Sequence, residues 1–498
     1  MKSSLAAAVG LIVALGVLTA GLAQAKAPAA VAPGTSPVPA IHQPRIAGGT
    51  PGRPFLFLIP ATGQGPLTFA AKNLPPGLTL DSKAGIITGS LQKAGRTEVE
   101  LTVTGPAGSA SSRLTIAAGQ GQLAQTPPMG WNSWNVWGLM VNDARVRAAA
   151  DAMVASGLAA HGFQYINIDD GWEKGRAPDG TILPNHKFPD MKGLADYVHA
   201  KGLKLGIYSS PGPKTCGKYE GSYGHEAQDA ATYAAWGIDY LKYDWCSYRQ
   251  ISPTETDLPE LQKPYRLMRA ELDQVNRDIV FSLCQYGMGD VSRWGAEVGG
   301  NLWRTTGDIR DTWTQLEKIG FSQNGLEPYA KPGHWNDPDM LVVGKVGWGF
   351  LMHRSRLTPD EQRLHLTLWS MLAAPLLIGC DMTKLDPFTL SLLTNDEVLE
   401  VNQDPLGRQG ARRATHGPLE VWSRPLADGT IAVALFNRGE SQAEASVTWS
   451  ELGLEGPQPV RDLWQRRELG VGDGSFSATV PAHGAVLVKI GKPGPAGN

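Results

Sequence analysis

The 498-residue sequence predicts an α/β protein: a (β/α)8 TIM barrel with a C-terminal antiparallel β-sandwich and a small N-terminal Ig-like β-sandwich. The length exceeds one ordinary domain. From about residue 126 to 403, eight short apolar runs alternate with helix-like segments, which is the arithmetic of a closed parallel barrel. On both sides the pattern changes to alternating apolar and polar residues broken by Gly and Pro, the pattern of a β-sandwich.

At the N-terminus Lys2 precedes an apolar run over 5–22, and small residues end at Ala25 in "AQA". This reads as a secretory signal peptide over 1–25. A membrane anchor is the alternative, but no basic stop follows immediately. No later run is long enough to span a bilayer, so no stable membrane insertion is expected. Export to a bacterial periplasm or the exterior follows, where disulfides persist. Residues 26–44 are Pro- and Ala-rich and read as a flexible lead. Residues 45–118, with "PFLFLIPATG" and "RTEVELTVTG", read as the Ig-like module. It shows no aromatic row, so it reads as a spacer rather than a polysaccharide binder. "GQGQLAQ" (119–125) reads as a linker.

Within the barrel segment (122–403), strands are expected at 128–134, 165–170, 204–210, 239–245, 279–285, 302–308, 334–341 and 375–381. "TPDEQRLHLTLWSMLAA" is a clear helix, with Thr358 as N-cap and Pro359 in the first turn. An open doubly wound sheet is the competing topology, but no Gly-rich phosphate fingerprint follows the first strand. Residues 408–491 read as the C-terminal sandwich.

The formal net charge of −2 argues against nucleic acid as a partner. Ten histidines are scattered, with no H-E-x-x-H, no G-x-S-x-G elbow and no phosphate loop. No metal and no cofactor is therefore expected. The four cysteines allow at most two bridges, which spacing alone cannot assign. No feature sets an oligomeric state.

Polar residues fall at the C-terminal ends of the expected strands: Asp169, Asp170, Ser209, Ser210, Asp244, Gln285, Asp308, Asp339 and Asp381. In a barrel these ends form one rim, where active sites are built. Asp381 reads as a helix cap. In "DYLKYDWC" (239–246), Lys242 and Asp244 stand two apart and share a face. They form either a buried ion pair or part of a site. Two carboxylates across a barrel mouth meet the need of glycoside hydrolysis. Lys242 is expected to favour ionised Asp244. Repulsion between Asp244 and Asp308 is expected to raise the pKa of one of them.

Seven motifs occur in order: "TPPMGWNSWN" (126–135), "INIDDGW" (166–172), "GIYSSPGPKTC" (206–216), "LKYDWC" (241–246), "WRTTGDI" (303–309), "WNDPDML" (335–341) and "AAPLLIG" (373–379). Together they resemble glycoside hydrolase family 27, the retaining α-galactosidases and α-N-acetylgalactosaminidases, over about residues 122–490. The resemblance implies Asp244 as nucleophile and Asp308 as acid/base. It implies Asp169 and Asp170 at the sugar 4- and 6-hydroxyls, and Lys242 at the 3- and 4-hydroxyls. Arg304 and Asp308 fall near the 2-hydroxyl, Trp134 under the apolar sugar face, and Tyr208 and Asp339 in the pocket. It also implies a Cys216–Cys246 disulfide. The implied chemistry is double displacement on α-galactoside oligo- or polysaccharides, with the two carboxyls roughly 5–5.5 Å apart.

The sequence departs from the family at "SLCQYGMGD" (282–290), where Gln285-Tyr286 replaces a usual Glu-Trp. Cys284 and Tyr286 are expected to place bulk near C2, favouring galactose over N-acetylgalactosamine. Gly300 stands where the family has the partner of Cys284, so Cys284 and Cys380 are expected to be free. The sister activities, α-N-acetylgalactosaminidase and β-L-arabinopyranosidase, remain alternatives, as does a non-catalytic galactoside-binding protein.

Overall fold

The computed structural model describes residues 36–252, 254 and 256–493. The expected signal peptide lies outside the described residues. Eight strands form one all-parallel sheet: β1 (Met129–Asn132), β2 (Tyr165–Asn167), β3 (Lys204–Ser209), β4 (Tyr240–Asp244), β5 (Val280–Cys284), β6 (Leu302–Arg304), β7 (Trp335–Asp337) and β8 (Leu376–Ile378). They pair in chain order, and β8 pairs back to β1. The remaining gap closes where Leu341, just beyond β7, bridges Ile378. Leu341 N–H donates to Leu377 O at 2.8 Å, and Gly379 N–H to Leu341 O at 3.0 Å. The sheet is thus a closed barrel.

These strands are apolar because parallel strands in a barrel are covered on both faces. Trp131, Ile166, Ile207, Leu241, Leu283, Trp303 and Ile378 are all buried in one continuous core with the inner faces of the surrounding helices. The close packing of β1 on β2 requires Gly130: a Cβ there would lie 2.3 Å from Tyr165 O. Each observed strand is shorter than its expected run, since the polar tail of the run belongs to the rim. The expected cap at Thr358 is present on helix Pro359–Met371. Thr358 Oγ1 accepts the Glu361 N–H, and Glu361 Oε2 accepts the Thr358 N–H, a reciprocal capping box.

The C-terminal domain has a six-stranded and a two-stranded antiparallel sheet around Val433, Leu435, Val447 and Val488. It is anchored to helix Pro359–Met371. The buried Arg424 donates to Ser370 O at 2.6 Å, and Trp464 Nε1 to Thr367 Oγ1 at 2.9 Å.

The N-terminal module has a four-stranded and a three-stranded sheet around Phe57, Ile87, Val99 and Ile116. Two expectations are corrected here. The lead is not a loose tail throughout, because Ala40–Ile41 pairs with Ala61–Thr62. The linker is not free either: Leu123 and Ala124 pack against Tyr165, Tyr240, Val280, Leu302 and Trp335. Ala124 O accepts Trp335 Nε1 at 2.8 Å. Those are the first residues of barrel strands, so the module caps the end opposite the rim. Arg53 fixes the joint. Its guanidinium meets Asp278 Oδ1 at 3.1 Å, Arg277 O at 3.2 Å and Asp273 O at 2.6 Å. The module is thus docked on the barrel.

Arg53→Ala is expected to destabilise the protein by about 2 kcal/mol, because the three contacts at the joint are lost. Thermal unfolding checks this; an unchanged melting temperature would show that the joint contributes nothing.

Candidate active site

β4 carries the two charged residues that stood out in the sequence, and the structure separates their partners. Lys242 Nζ passes the face of Tyr208, 5.3 Å from its centroid, and donates to Asp169 Oδ2 at 2.8 Å. The same oxygen accepts Asn132 Nδ2 at 2.9 Å, and Asp169 Oδ1 accepts the Asp170 N–H at 2.9 Å. One carboxylate therefore ties the ends of β1, β2 and β4 together.

Asp244 is held differently. Its Oδ2 accepts the Tyr208 hydroxyl at 2.9 Å, and its Oδ1 accepts the Tyr286 hydroxyl at 2.6 Å. Burial pushes the Asp244 carboxyl above its ordinary pKa, against Lys242 and the two hydroxyls, which pull it down. Lys242 favours ionised Asp244, as expected, but it spends its short contact on Asp169, and desolvation outweighs it.

Across the mouth, Arg304 at the end of β6 bridges two carboxylates. Its Nη2 donates to Asp308 Oδ1 at 3.1 Å, and its Nη1 lies 3.0 Å from Asp339 Oδ1. Arg304 is buried, whereas the Asp308 side chain is 57% exposed. Partial burial pushes Asp308 up, but Arg304 and Lys242 outweigh it and hold this carboxyl below its ordinary value. Repulsion was expected to raise one member of the Asp244–Asp308 pair. The raised member is Asp244, and burial rather than repulsion is the main cause.

Asp170 is buried beside this network. Its Oδ2 accepts the Gly217 N–H, while Oδ1 has no partner among the described residues. Burial pushes its pKa up to about 6, against the Gly217 N–H and the Thr215 side chain. Gly217 stands beside Cys216, and the Cys216–Cys246 disulfide closes the loops after β3 and β4, with Cα atoms 5.0 Å apart. Cys284 and Cys380 are free and buried. Arg304 Nη1 reaches Cys284 Sγ at 3.8 Å.

The remaining expected residues divide clearly. Trp134 opens the short helix Trp134–Trp137 directly after β1 and is half-buried. Trp172 lies behind the rim, fully buried edge-on to Tyr233 and Trp236. Ser209 and Ser210 bond Ser222 and the Cys246 carbonyl, supporting loops. Asp381 caps Thr383.

Sequence reasoning missed three members. Asn132, within the first motif, orients Asp169. Asp337 accepts the Asp339 N–H at 2.8 Å and so fixes the turn that presents Asp339, itself at φ 85°. Glu173, fully buried, accepts the Gly171 N–H at 3.1 Å, and burial with the nearby Asp170 raises its pKa far above the ordinary value. Asn132 and Asp337 sit at strand ends within quoted motifs, which was signal enough to include them. The Tyr286–Asp244 contact had no local signal, since 42 residues separate the partners.

The fold has close counterparts. The alpha galactosidase A family profile matches residues 126–404, the alpha galactosidase C-terminal beta sandwich domain matches 416–490, and an Ig-domain profile matches 33–119. An alpha-galactosidase of Cyamopsis tetragonoloba is 47% identical over 367 residues, covering 72% of this chain and 85% of that protein. Alpha-galactosidase A of Cellvibrio japonicus is 40% identical over 393 residues, covering 74% and 93%. A solved Bacteroides fragilis structure at 38% identity covers 91% of this chain and 98% of its own, with a TM-score of 0.86. Alpha-galactosidase I of Mortierella vinacea, at 34% identity, covers 76% and 100% with a TM-score of 0.69. The similarity covers both the barrel that builds the rim and the sandwich behind it, and so the chain belongs to glycoside hydrolase family 27, the alpha-galactosidase family.

Proposed function

We propose that the protein is a retaining exo-α-galactosidase that releases terminal, non-reducing α-D-galactosyl residues by double displacement. The observation that carries this reading is the mismatch of charge at the rim. Asp169, Asp170, Asp244, Asp308, Asp337 and Asp339 converge there with Lys242 and Arg304. Such a site is rich in acceptors and suits a neutral ligand that offers many hydroxyl donors. Asp170 Oδ1, buried and unpartnered, is one such acceptor. An axial 4-hydroxyl between Lys242 and the Asp169–Asp170 pair would satisfy it. An equatorial one would leave a buried group unpaired, which costs about 1–3 kcal/mol.

In the proposed reaction Asp244 attacks the anomeric carbon, and a proton carried by Asp308 passes to the departing oxygen. A galactosyl ester forms on Asp244. Asp308, now ionised, takes a proton from water, which cleaves the ester with retention. Arg304 steadies Asp308, and Lys242 holds Asp169 toward the sugar. Trp134 offers an apolar wall, and Cys284 with Tyr286 occupies the space near C2. The Saccharomyces cerevisiae alpha-galactosidase solved with raffinose, 26% identical with a TM-score of 0.67, covers 74% of this chain and 98% of its own, which supports α-galactosyl oligosaccharides as substrates. Residues 1–25 and the rim disulfide support export to the periplasm or exterior. Among the described residues no helix is long and apolar enough to cross a membrane.

Asp244→Asn is expected to lower kcat on 4-nitrophenyl α-galactoside by about 10³-fold or more. Asp308→Ala is expected to spare substrates with good leaving groups far more than natural oligosaccharides. Full activity in Asp244→Asn would end the reading. A panel of nitrophenyl glycosides varying at C2, C4 and C6 tests the sugar: the α-galactoside is expected to lead, and a preference for α-N-acetylgalactosaminide or β-L-arabinopyranoside would overturn the specificity. Asp244 must be ionised to attack, and burial raises its pKa. kcat/KM is therefore expected to fall as pH drops through a value above the ordinary aspartate range; an acid limb at or below that range would contradict this.

A further inference from the structure

Tyr208 and Tyr286 hold the two oxygens of Asp244, but they are mounted differently. Tyr208 lies within β3, in register with Lys242. It is fully buried, and its hydroxyl also lies 3.2 Å from Cys246 Sγ of the disulfide. It is a fixed donor to Oδ2. Tyr286 stands in the turn after β5, half-buried, with φ 63°. Left-handed backbone is costly for a residue with a large side chain. The turn is forced into it because the next residue is clamped: Gly287 N–H donates to Arg304 O at 3.0 Å. A Cβ on Gly287 would lie 2.3 Å from Thr305 O. The strained turn throws the ring back over the rim. There its centroid lies 5.9 Å from the Arg304 guanidinium carbon, and its hydroxyl meets Asp244 Oδ1 at 2.6 Å.

We infer that Tyr286 is a positioning residue for Asp244, its hydroxyl holding Oδ1, the attacking oxygen, in line and ionised and yielding it to the anomeric carbon when the sugar enters. This rests on the proposed role of Asp244 and goes beyond a steric role for Tyr286 near C2. The assignment of oxygens follows from the mounting. Oδ2 is bound to a fully buried donor inside a strand, whereas Oδ1 is bound to a half-buried donor whose ring can turn aside on its clamped backbone. Backbone strain held by a tight clamp is also what is expected where a side chain must be aimed at a reacting group.

The sign of the effect is fixed by the chemistry. A hydroxyl donating to a carboxylate favours the ionised form, and Asp244 reacts as the anion. Removing the Tyr286 hydroxyl raises the pKa of Asp244. The other titratable groups that act on Asp244 or feel its charge are Tyr208 from β3, Lys242 on its own strand, Asp170 after β2, Tyr265 from helix Leu258–Gln274, Cys284 from β5 and Asp308 beyond β6. The substitution replaces none of them.

The test is Tyr286→Phe in the full chain, with kcat and KM measured on 4-nitrophenyl α-galactoside across pH and thermal unfolding as a check of the fold. The expected result is an acid limb of kcat/KM moved to higher pH and kcat lowered by about tenfold at neutral pH, with KM little changed. Tyr286→Trp, which keeps a ring without that hydroxyl, is expected to move the limb the same way. A wild-type limb in both variants, or a change confined to KM, would reduce Tyr286 to a pocket wall and overturn the inference. Failure of the underlying reading looks different: Asp244→Asn would remain active against a normal wild type.

Discussion

Closure of the parallel sheet is the constraint on which the site depends. All eight strands run in one direction, so their C-terminal ends can form a ring only if the last strand returns to the first. β8 does return, by a full ladder with β1, and the narrow join is the one between β7 and β8, which meet through Leu341, beyond the end of β7. The same excursion carries Asp337 and Asp339 to the rim, with Asp339 in a left-handed turn. Trp369 Nε1 holds that turn by donating to Asp339 O at 2.7 Å. The residue that seals the barrel and the residue that pairs with Arg304 therefore lie on one short loop.

The rim resolves its charges by division. Lys242 serves the side of β1 and β2 through Asp169, and Arg304 serves the side of β6 and β7 through Asp308 and Asp339. Asp244 lies between these two clusters and is held by tyrosine hydroxyls. A buried carboxylate held by neutral donors stays more nucleophilic than one in a tight ion pair, because its charge is less neutralised. The cost is a raised pKa, set mainly by desolvation. A lysine spent directly on Asp244 would keep it ionised more firmly and at the same time draw its electrons away from the sugar.

The architecture was legible in the sequence because buried parallel strands write themselves as short apolar runs, as in "LKLGIYS" and "IVFSLC". The polar residue ending each run marked the rim. Three things were illegible, each for a physical reason. The i, i+2 spacing of Lys242 and Asp244 shows a shared face but not that a long side chain will cross Tyr208 to a carboxylate 73 residues away. Asp308 reads like any strand-end aspartate, and only the fold reveals that Arg304 lowers it. The Ala- and Pro-rich lead looks unstructured by composition, yet its described end, residues 36–44, is tied to the barrel, where His42 Nδ1 lies 3.0 Å from Asp396 Oδ1.

The two carboxyls of the proposed mechanism stand in the reverse of their working order: the pKa of the attacking group is raised and that of the proton donor is lowered. The exposure of Asp308 accounts for half of this. With water at the mouth, Arg304 stabilises its anion and the charge of Asp244 is partly screened. A sugar in the pocket expels that water, and the Asp244–Asp308 repulsion strengthens as the local dielectric falls. Sugar hydroxyls meanwhile donate to the acidic groups and hold Asp244 as the anion. Both changes move Asp308 toward its protonated form. Once the ester forms, Asp244 carries no charge, the repulsion vanishes, and Arg304 again favours ionised Asp308, as activation of water requires. On this account Arg304 keeps Asp308 ready for the second step, and the substrate itself supplies the conditions for the first.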